Sequence, residues 1–141
     1  MGFGAVIRNY RGEVMAAMSA KGSPVTTSDD AEALACRKAL EFSIYARFLE
    51  LIIEGDNAHV MKIIGSSLPN RSSLGIIIDD VECLMNGMQN VYVKSIRREG
   101  NRVAHGLARF AKNVSEDMYW LEDSSPPVIE KIPRASWGRC G

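Results

Sequence analysis

The chain has 141 residues, enough for a single domain with a sizeable core. Its 17 Lys and Arg residues balance 17 Asp and Glu residues, which excludes a global field that steers the protein toward nucleic acid or an acidic membrane. Polyanion binding therefore requires a local basic patch. The 3 cysteines have no C-x-x-C spacing, which argues against a disulfide framework and against a zinc site.

The sequence carries no recognisable targeting or membrane segment. No basic-then-apolar segment opens the chain, and no apolar run approaches the length of a bilayer-spanning helix. We therefore expect an intracellular protein without membrane contact, and the sequence does not distinguish nucleus from cytoplasm.

The first half of the chain predicts two strands, a helix and a third strand. Alternating residues indicate a strand over residues 2–10, and a turn at Arg11-Gly12 leads to a return strand over residues 13–20. Small and apolar residues then recur on one face of a helix that opens near Asp29. The apolar run over residues 49–55 predicts a strand that is covered on both faces.

The second half predicts three helices and one strand. A short helix over residues 58–64 is capped by Asp56 or Asn57, and a longer helix begins at Ser72 or Ser73. A strand over residues 91–98 precedes the last helix. The resulting order is strand-strand-helix-strand-helix-helix-strand-helix, which predicts an α/β domain with a mixed sheet flanked by helices.

The composition changes after residue 121, where charged residues, serines and two prolines follow one another. Proline in this position cannot continue a helix. We therefore predict a domain over residues 1–121 and a Pro-containing, loosely packed tail over residues 122–141.

Two carboxylates are predicted to meet at one edge of the sheet. Glu32 lies in the first turns of the long helix, and Asp56 follows the strand at its carboxyl end. Ligands gather at this edge of open α/β sheets, so the pair is a plausible half of a metal site. Two other interpretations remain open: Glu32 as the second residue of a capping box with Asp29, and Asp56 as a helix cap.

Four segments in register carry a family resemblance: the hairpin over residues 2–14, the helix segment over residues 31–35, the strand end over residues 54–57 and the last helix over residues 101–108. From about residue 2 to residue 129, the chain resembles the ribonuclease H-like domain found in many plant proteins derived from non-LTR retrotransposons, a reverse transcriptase-like group.

The resemblance implies a five-stranded sheet and a site of four carboxylates. Such a site binds two divalent metals, Mg²⁺ or Mn²⁺, which hydrolyse the RNA strand of an RNA–DNA hybrid. Glu32 and Asp56 match two of the ligand positions, and His105 stands where the family has its last aspartate. The first aspartate would lie on a strand upstream of residue 2. We therefore expect an N-terminally truncated domain with impaired catalysis.

The absent strand is central in the family's sheet. Without it, the neighbouring strands must close on each other, borrow a strand from the tail or another chain, or leave edges open for self-association. The apolar residues 128–132 are the only remaining candidate for a borrowed strand.

A local basic patch is the last candidate site. It surrounds the final strand and helix and comprises Lys94, Arg97, Arg98, Arg102, Arg109 and Lys112. Within it, Arg97, Arg98 and Arg102 are the predicted contacts to nucleic acid, and an ordinary solvated surface is the alternative. The competing function class is a non-catalytic interaction module or a truncated retroelement relic. His59 and His105 have an equally ordinary alternative as hydrogen-bonded or surface histidines.

Overall fold

A computed structural model describes residues 1–22, 27–66, 73–121 and 132–140. Among these residues the strands are β1 (Gly2–Arg8), β2 (Val14–Lys21), β3 (Glu50–Gly55), β4 (Asn90–Ser95), β5 (Met118–Leu121) and β6 (Arg134–Cys140). The helices are α1 (Ser28–Tyr45), α2 (Ala58–Ile64), α3 (Ser73–Asn86) and α4 (Arg102–Ala111), and a 3-10 turn over Arg98–Asn101 leads into α4. None of these helices combines the length and apolar character needed to cross a membrane.

All six strands of the described chain join one mixed sheet in the order β4-β3-β6-β1-β2-β5. Strand β3 is parallel to β4 and β6, and the remaining neighbours are antiparallel. The β1–β2 turn forms where the sequence predicted it, because the Asn9 side chain accepts hydrogen bonds from the backbone of Arg11 and Glu13, and Gly12 adopts a φ of 80°. The prediction of a mixed sheet with helices packed on it is confirmed.

The centre of the sheet is occupied by β6, which comes from the C-terminal segment of the chain. Its residues pair antiparallel with β1, from Gly2 opposite Cys140 to Arg8 opposite Arg134, and parallel with β3. The prediction of loose packing over residues 122–141 is therefore wrong for Arg134–Cys140. The expected donor of a borrowed strand was also misplaced, since Ile132 precedes β6 and residues 128–131 lie outside the described residues.

The sequence did not predict strand β6, because its residues do not form an apolar run. Its residues include Ala135, Ser136 and Gly138, which are small rather than hydrophobic, yet they are buried on both faces of the sheet. A central strand under closely packed helices needs small side chains as much as apolar ones.

Strand β5 is a second unpredicted element and forms one edge of the sheet. It pairs antiparallel with β2, with Ala16 opposite Leu121 and Ser19 opposite Met118. The resemblance implied five strands, and the described residues form six.

Helices α1 and α4 cover opposite faces of β1. Gly2 and Gly4 face α4, where a Cβ on Gly4 would lie 2.2 Å from the carbonyl oxygen of Ala104. The intervening Phe3 faces α1, with the Lys38 ammonium 5.8 Å from its ring centroid. A Cβ on Gly138 would meet the backbone of α4 at 2.7 Å. This close approach sets α4 directly above the centre of the sheet.

Candidate functional site

The three predicted catalytic residues come together in one cavity of about 380 Å³. Glu32 enters from the first turns of α1, Asp56 from the end of β3, and His105 from the first turns of α4. The cavity is also lined by Asn57, Ala58, Arg98 and Arg139. Because β3 and β6 are parallel, their carboxyl ends lie at the same edge of the sheet, where the sequence predicted the site.

Glu32 is not a capping residue. The N-cap of α1 is Thr27, whose hydroxyl accepts a hydrogen bond from the backbone N–H of Asp30 at 3.1 Å. Asp29, the predicted cap, accepts hydrogen bonds from Asn57 and His59 at 3.0 and 2.9 Å. The capping-box interpretation of Glu32 is therefore wrong, and the Glu32 carboxylate is buried at the cavity, with 2% of the residue exposed.

Asp56 does not cap a helix either. Asn57 caps α2 by accepting a hydrogen bond from the backbone N–H of Val60 at 3.1 Å. The Asp56 Oδ2 atom lies 2.6 Å from His105 Nε2 and 3.1 Å from Asn101 Nδ2, which donates to it. Since a carboxylate only accepts, the His105 Nε2 atom carries the proton in this contact. His105 is 9% exposed and acts as a hydrogen-bond donor to Asp56, whereas His59 lies on the surface beside Asp29.

Strand β6 supplies two site residues that the sequence did not predict. The indole Nε1 of the fully buried Trp137 donates to Glu32 Oε1 at 2.9 Å. The Arg139 Nε atom lies 3.4 Å from Glu32 Oε2. The carbonyl of Trp137 accepts a hydrogen bond from Asn101 at 2.5 Å, which ties β6 to the turn before α4. No local pattern marks these residues, because only the long-range pairing of β6 brings them to the cavity.

Burial governs the electrostatics of Glu32. Desolvation raises the pKa of the Glu32 carboxyl, and the neighbouring charge of Asp56 raises it further. The Trp137 hydrogen bond and the positive charge of Arg139 lower the pKa and offset this only in part. At the surface, hydrogen bonds from Asn57 and His59 lower the pKa of Asp29.

These residues do not fit a two-metal centre. Each Glu32 oxygen faces a nitrogen of β6, and Asp56 Oδ2 faces two nitrogen groups. A hard divalent cation needs several free oxygen ligands, and the Arg139 guanidinium repels it. In the part of the chain that the structure describes, no group of three or more His, Cys, Asp and Glu side chains is arranged to hold a metal ion.

A second cavity of about 390 Å³ adjoins the first and shares Arg98 and His105 with it. Arg102, Arg109 and Glu99 complete its lining. The structure thus brings together three members of the predicted basic patch, Arg98, Arg102 and Arg109, of which Arg109 was not among the predicted contacts to nucleic acid. Arg97 is exposed but lines neither cavity.

Comparison with known proteins identifies the family. The reverse transcriptase-like family model matches residues 1–111. The chain belongs to the reverse transcriptase-like family. The matched range includes Glu32, Asp56 and His105 but ends before β6. No curated protein matches the sequence.

Solved ribonuclease H structures share the fold of this reverse transcriptase-like domain. RNase H1 from the halophilic archaeon Halobacterium salinarum NRC-1 superposes with a TM-score of 0.72 at 22% identity, covering 79% of this chain and 85% of that one. The N-terminal RNase H domain of a Mycobacterium tuberculosis protein was solved as a fusion with maltose-binding protein. It superposes with a TM-score of 0.68 at 18% identity, covering 79% of this chain and 81% of that one. At these identities the likeness concerns the fold, and the predicted ribonuclease H-like architecture is confirmed.

Proposed function

We propose that this reverse transcriptase-like domain binds nucleic acid, with RNA–DNA hybrid as its preferred ligand, and that its hydrolytic activity is impaired. The observation that carries the proposal is that both candidate catalytic carboxylates are engaged by nitrogen donors of the chain itself. Family membership and the shared ribonuclease H fold support the ligand class. An origin in a plant retrotransposon is part of the same proposal and rests on the sequence resemblance.

The physical reason for impairment is competition between internal donors and metal ions. Two-metal hydrolysis requires carboxylates that clamp the ions beside the scissile phosphate. In this chain, an incoming ion would compete with Trp137 for Glu32 Oε1 and with His105 and Asn101 for Asp56 Oδ2, and the Arg139 guanidinium beside Glu32 Oε2 would repel it. A buried donor that loses its partner costs about 1–3 kcal/mol. Mg²⁺ and Mn²⁺ are the ions that the family site would take, and we expect this site to bind neither tightly.

A paired binding and cleavage assay tests the proposal. Fluorescence anisotropy with a labelled RNA–DNA hybrid should show binding that weakens as salt is added, because backbone contacts release counterions. Cleavage of the same hybrid in Mg²⁺ or Mn²⁺ should not exceed that of a Glu32→Gln/Asp56→Asn double variant. Metal-dependent cutting that Asp56→Asn abolishes would contradict the impairment, and absence of any binding would contradict the function itself.

A calorimetric titration tests the metal site separately from catalysis. Mg²⁺ and Mn²⁺ titrated into the folded protein should give the same heats for the unsubstituted chain and for Asp56→Asn, since neither ion gains enough free oxygens. A saturable signal that Asp56→Asn removes would show that Asp56 still holds an ion.

Exposed aromatic residues favour a second candidate function, a protein-interaction module that self-associates. All four residues of the edge strand β5 are exposed, and they include Tyr119 and Trp120 at 50% and 40% exposure. An open apolar edge strand can pair with the same strand of a second copy. Light scattering should then report a dimer that Trp120→Lys dissociates, and a monomer at all concentrations would exclude this candidate.

A further inference from the structure

The second cavity is lined mainly by arginine side chains. Arg98, Arg102 and Arg109 face it together with Glu99 and His105, so its cationic groups outnumber its carboxylates. All three arginines are exposed, and none forms an ion pair with a described carboxylate. Arg37, in contrast, pairs with Glu41 and Asp80. The guanidinium groups at this cavity are therefore available to an external anion.

We propose that Arg98, Arg102 and Arg109 form a track that contacts three phosphates along one nucleic-acid strand. This inference rests on the proposed nucleic-acid binding and names the groups that carry it. It adds Arg109 to the predicted contacts and replaces Arg97, which lines neither cavity.

The spacing of the three arginines fits a linear ligand. Arg109 follows Arg102 by seven residues, so these two side chains project to one face of α4, and Arg98 at the start of the 3-10 turn lines the same cavity. At a rise of about 1.5 Å per residue, Arg102 and Arg109 are separated by roughly 10 Å along the helix. A duplex strand advances about 3.4 Å along the duplex axis per phosphate, so Arg102 and Arg109 are roughly three phosphate steps apart when α4 lies along that axis.

Arginine also suits the chemistry of a phosphodiester. Its planar guanidinium donates two parallel hydrogen bonds to phosphate oxygens and keeps its charge at any physiological pH. His105, which lines both cavities, connects the track to the carboxylate cavity. A strand bound along the track would therefore pass beside Asp56, consistent with the edge at which the fold collects its ligands.

Salt-dependent binding of labelled oligonucleotides tests the track. Three backbone contacts give a slope of about −2.7 for log K against log salt with a duplex and about −2.1 with a single strand. Each Arg→Ala substitution at residues 98, 102 and 109 should make the duplex slope shallower by about 0.9 and weaken binding about fivefold at 0.15 M salt. Arg102→Lys should keep the slope, because the charge remains, yet bind more weakly than the unsubstituted chain.

Arg11→Ala is the matched control. Arg11 is an exposed arginine in the β1–β2 turn, at the end of the sheet opposite the site. It should leave affinity and slope unchanged, and circular dichroism should show that every variant is folded. Equal losses from Arg11→Ala and from the track variants would mean that only bulk charge matters, which overturns the track.

The remaining outcomes separate the track from the proposed function. If the unsubstituted chain binds hybrid and the three track variants bind equally well, nucleic-acid binding stands and the track is wrong. If the unsubstituted chain binds no nucleic acid, both the proposed function and the track are wrong. Inorganic phosphate is the competitor that distinguishes a free-phosphate pocket from a backbone track. Displacement of the oligonucleotide by low millimolar phosphate at constant ionic strength would indicate a single-ion pocket and overturn the track.

Discussion

The hydrogen bond between Trp137 and Glu32 makes a quantitative prediction about stability. Trp137→Phe removes the indole N–H and leaves a buried carboxylate oxygen without its donor. A hydrogen bond to a charged group contributes about 1.5–3 kcal/mol, and the smaller ring leaves a void of roughly 40 Å³ that costs about 1 kcal/mol. We therefore expect the free energy of unfolding to fall by about 2.5–4 kcal/mol. A domain of this size has a free energy of unfolding of roughly 7–20 kcal/mol, which exceeds this loss, so the variant should still fold.

A double-mutant cycle with Glu32→Gln separates the charge from the void. The glutamine amide can still accept from the indole but carries no charge, so the bond contributes only about 0.5–1.5 kcal/mol in that background. The two substitutions should therefore be non-additive by about 1–1.5 kcal/mol. Urea unfolding followed by far-ultraviolet circular dichroism measures each variant without relying on tryptophan fluorescence. Strictly additive effects would refute the assigned role of the Glu32 charge.

The same pair predicts a direction of pH dependence. The folded-state pKa of Glu32 is raised above its ordinary value, so the folded state binds the proton more readily than the unfolded state. The stability associated with Glu32 is therefore complete below the unfolded pKa and is lost as the pH rises through the folded pKa. Trp137→Phe removes a contact that lowers this pKa, so its destabilisation should be larger at about pH 7 than at about pH 4. An equal loss at both pH values would contradict the assignment.

Two further predictions concern packing and thiol reactivity. Gly4→Ala places a Cβ 2.2 Å from the carbonyl oxygen of Ala104, so α4 must shift, and we expect a loss of about 3 kcal/mol or more in urea unfolding. Gly100→Ala, whose Cβ meets no atom within 4 Å, is the control and should cost about 1 kcal/mol or less. Burial raises the pKa of the Cys36 thiol, whereas Cys83 is exposed. A thiol reagent should therefore modify Cys83 in the native protein and Cys36 only after unfolding, and rapid native labelling at Cys36 would contradict its burial.

Local chemistry made much of the carboxylate pair predictable. The small-residue stripe of α1 and the apolar run of β3 placed Glu32 and Asp56 at one edge of the sheet, where the structure has them. The capping residues were harder to predict. Thr27 and Asp29 are both possible N-caps of α1, and Asp56 and Asn57 are both possible N-caps of α2. Tertiary contacts decide which residue of each pair caps the helix.

The partners of the carboxylates could not be predicted from local pattern. Trp137 and Arg139 reach Glu32 only because β6 pairs with β1, a contact between opposite ends of the described chain. Neither hydrophobic periodicity nor propensity encodes such a long-range register in a strand rich in small residues. The basic patch was predicted in composition, but its alignment along the 3-10 turn and α4 depends on how α4 packs across the glycines of β1.

The central position of β6 also sets a constraint on how the protein is made. Strands β1, β2 and β5 form one half of the sheet and β3 with β4 the other, and β6 alone joins them by hydrogen bonds. During synthesis, every other described strand emerges before the one that connects the halves. Pairings between such distant segments form slowly, and the unpaired inner edges of β1 and β3 stay open until Arg134–Cys140 has left the ribosome. Loss of these few residues would therefore divide the sheet at its centre, and a nascent chain halted before them would be a client for chaperones.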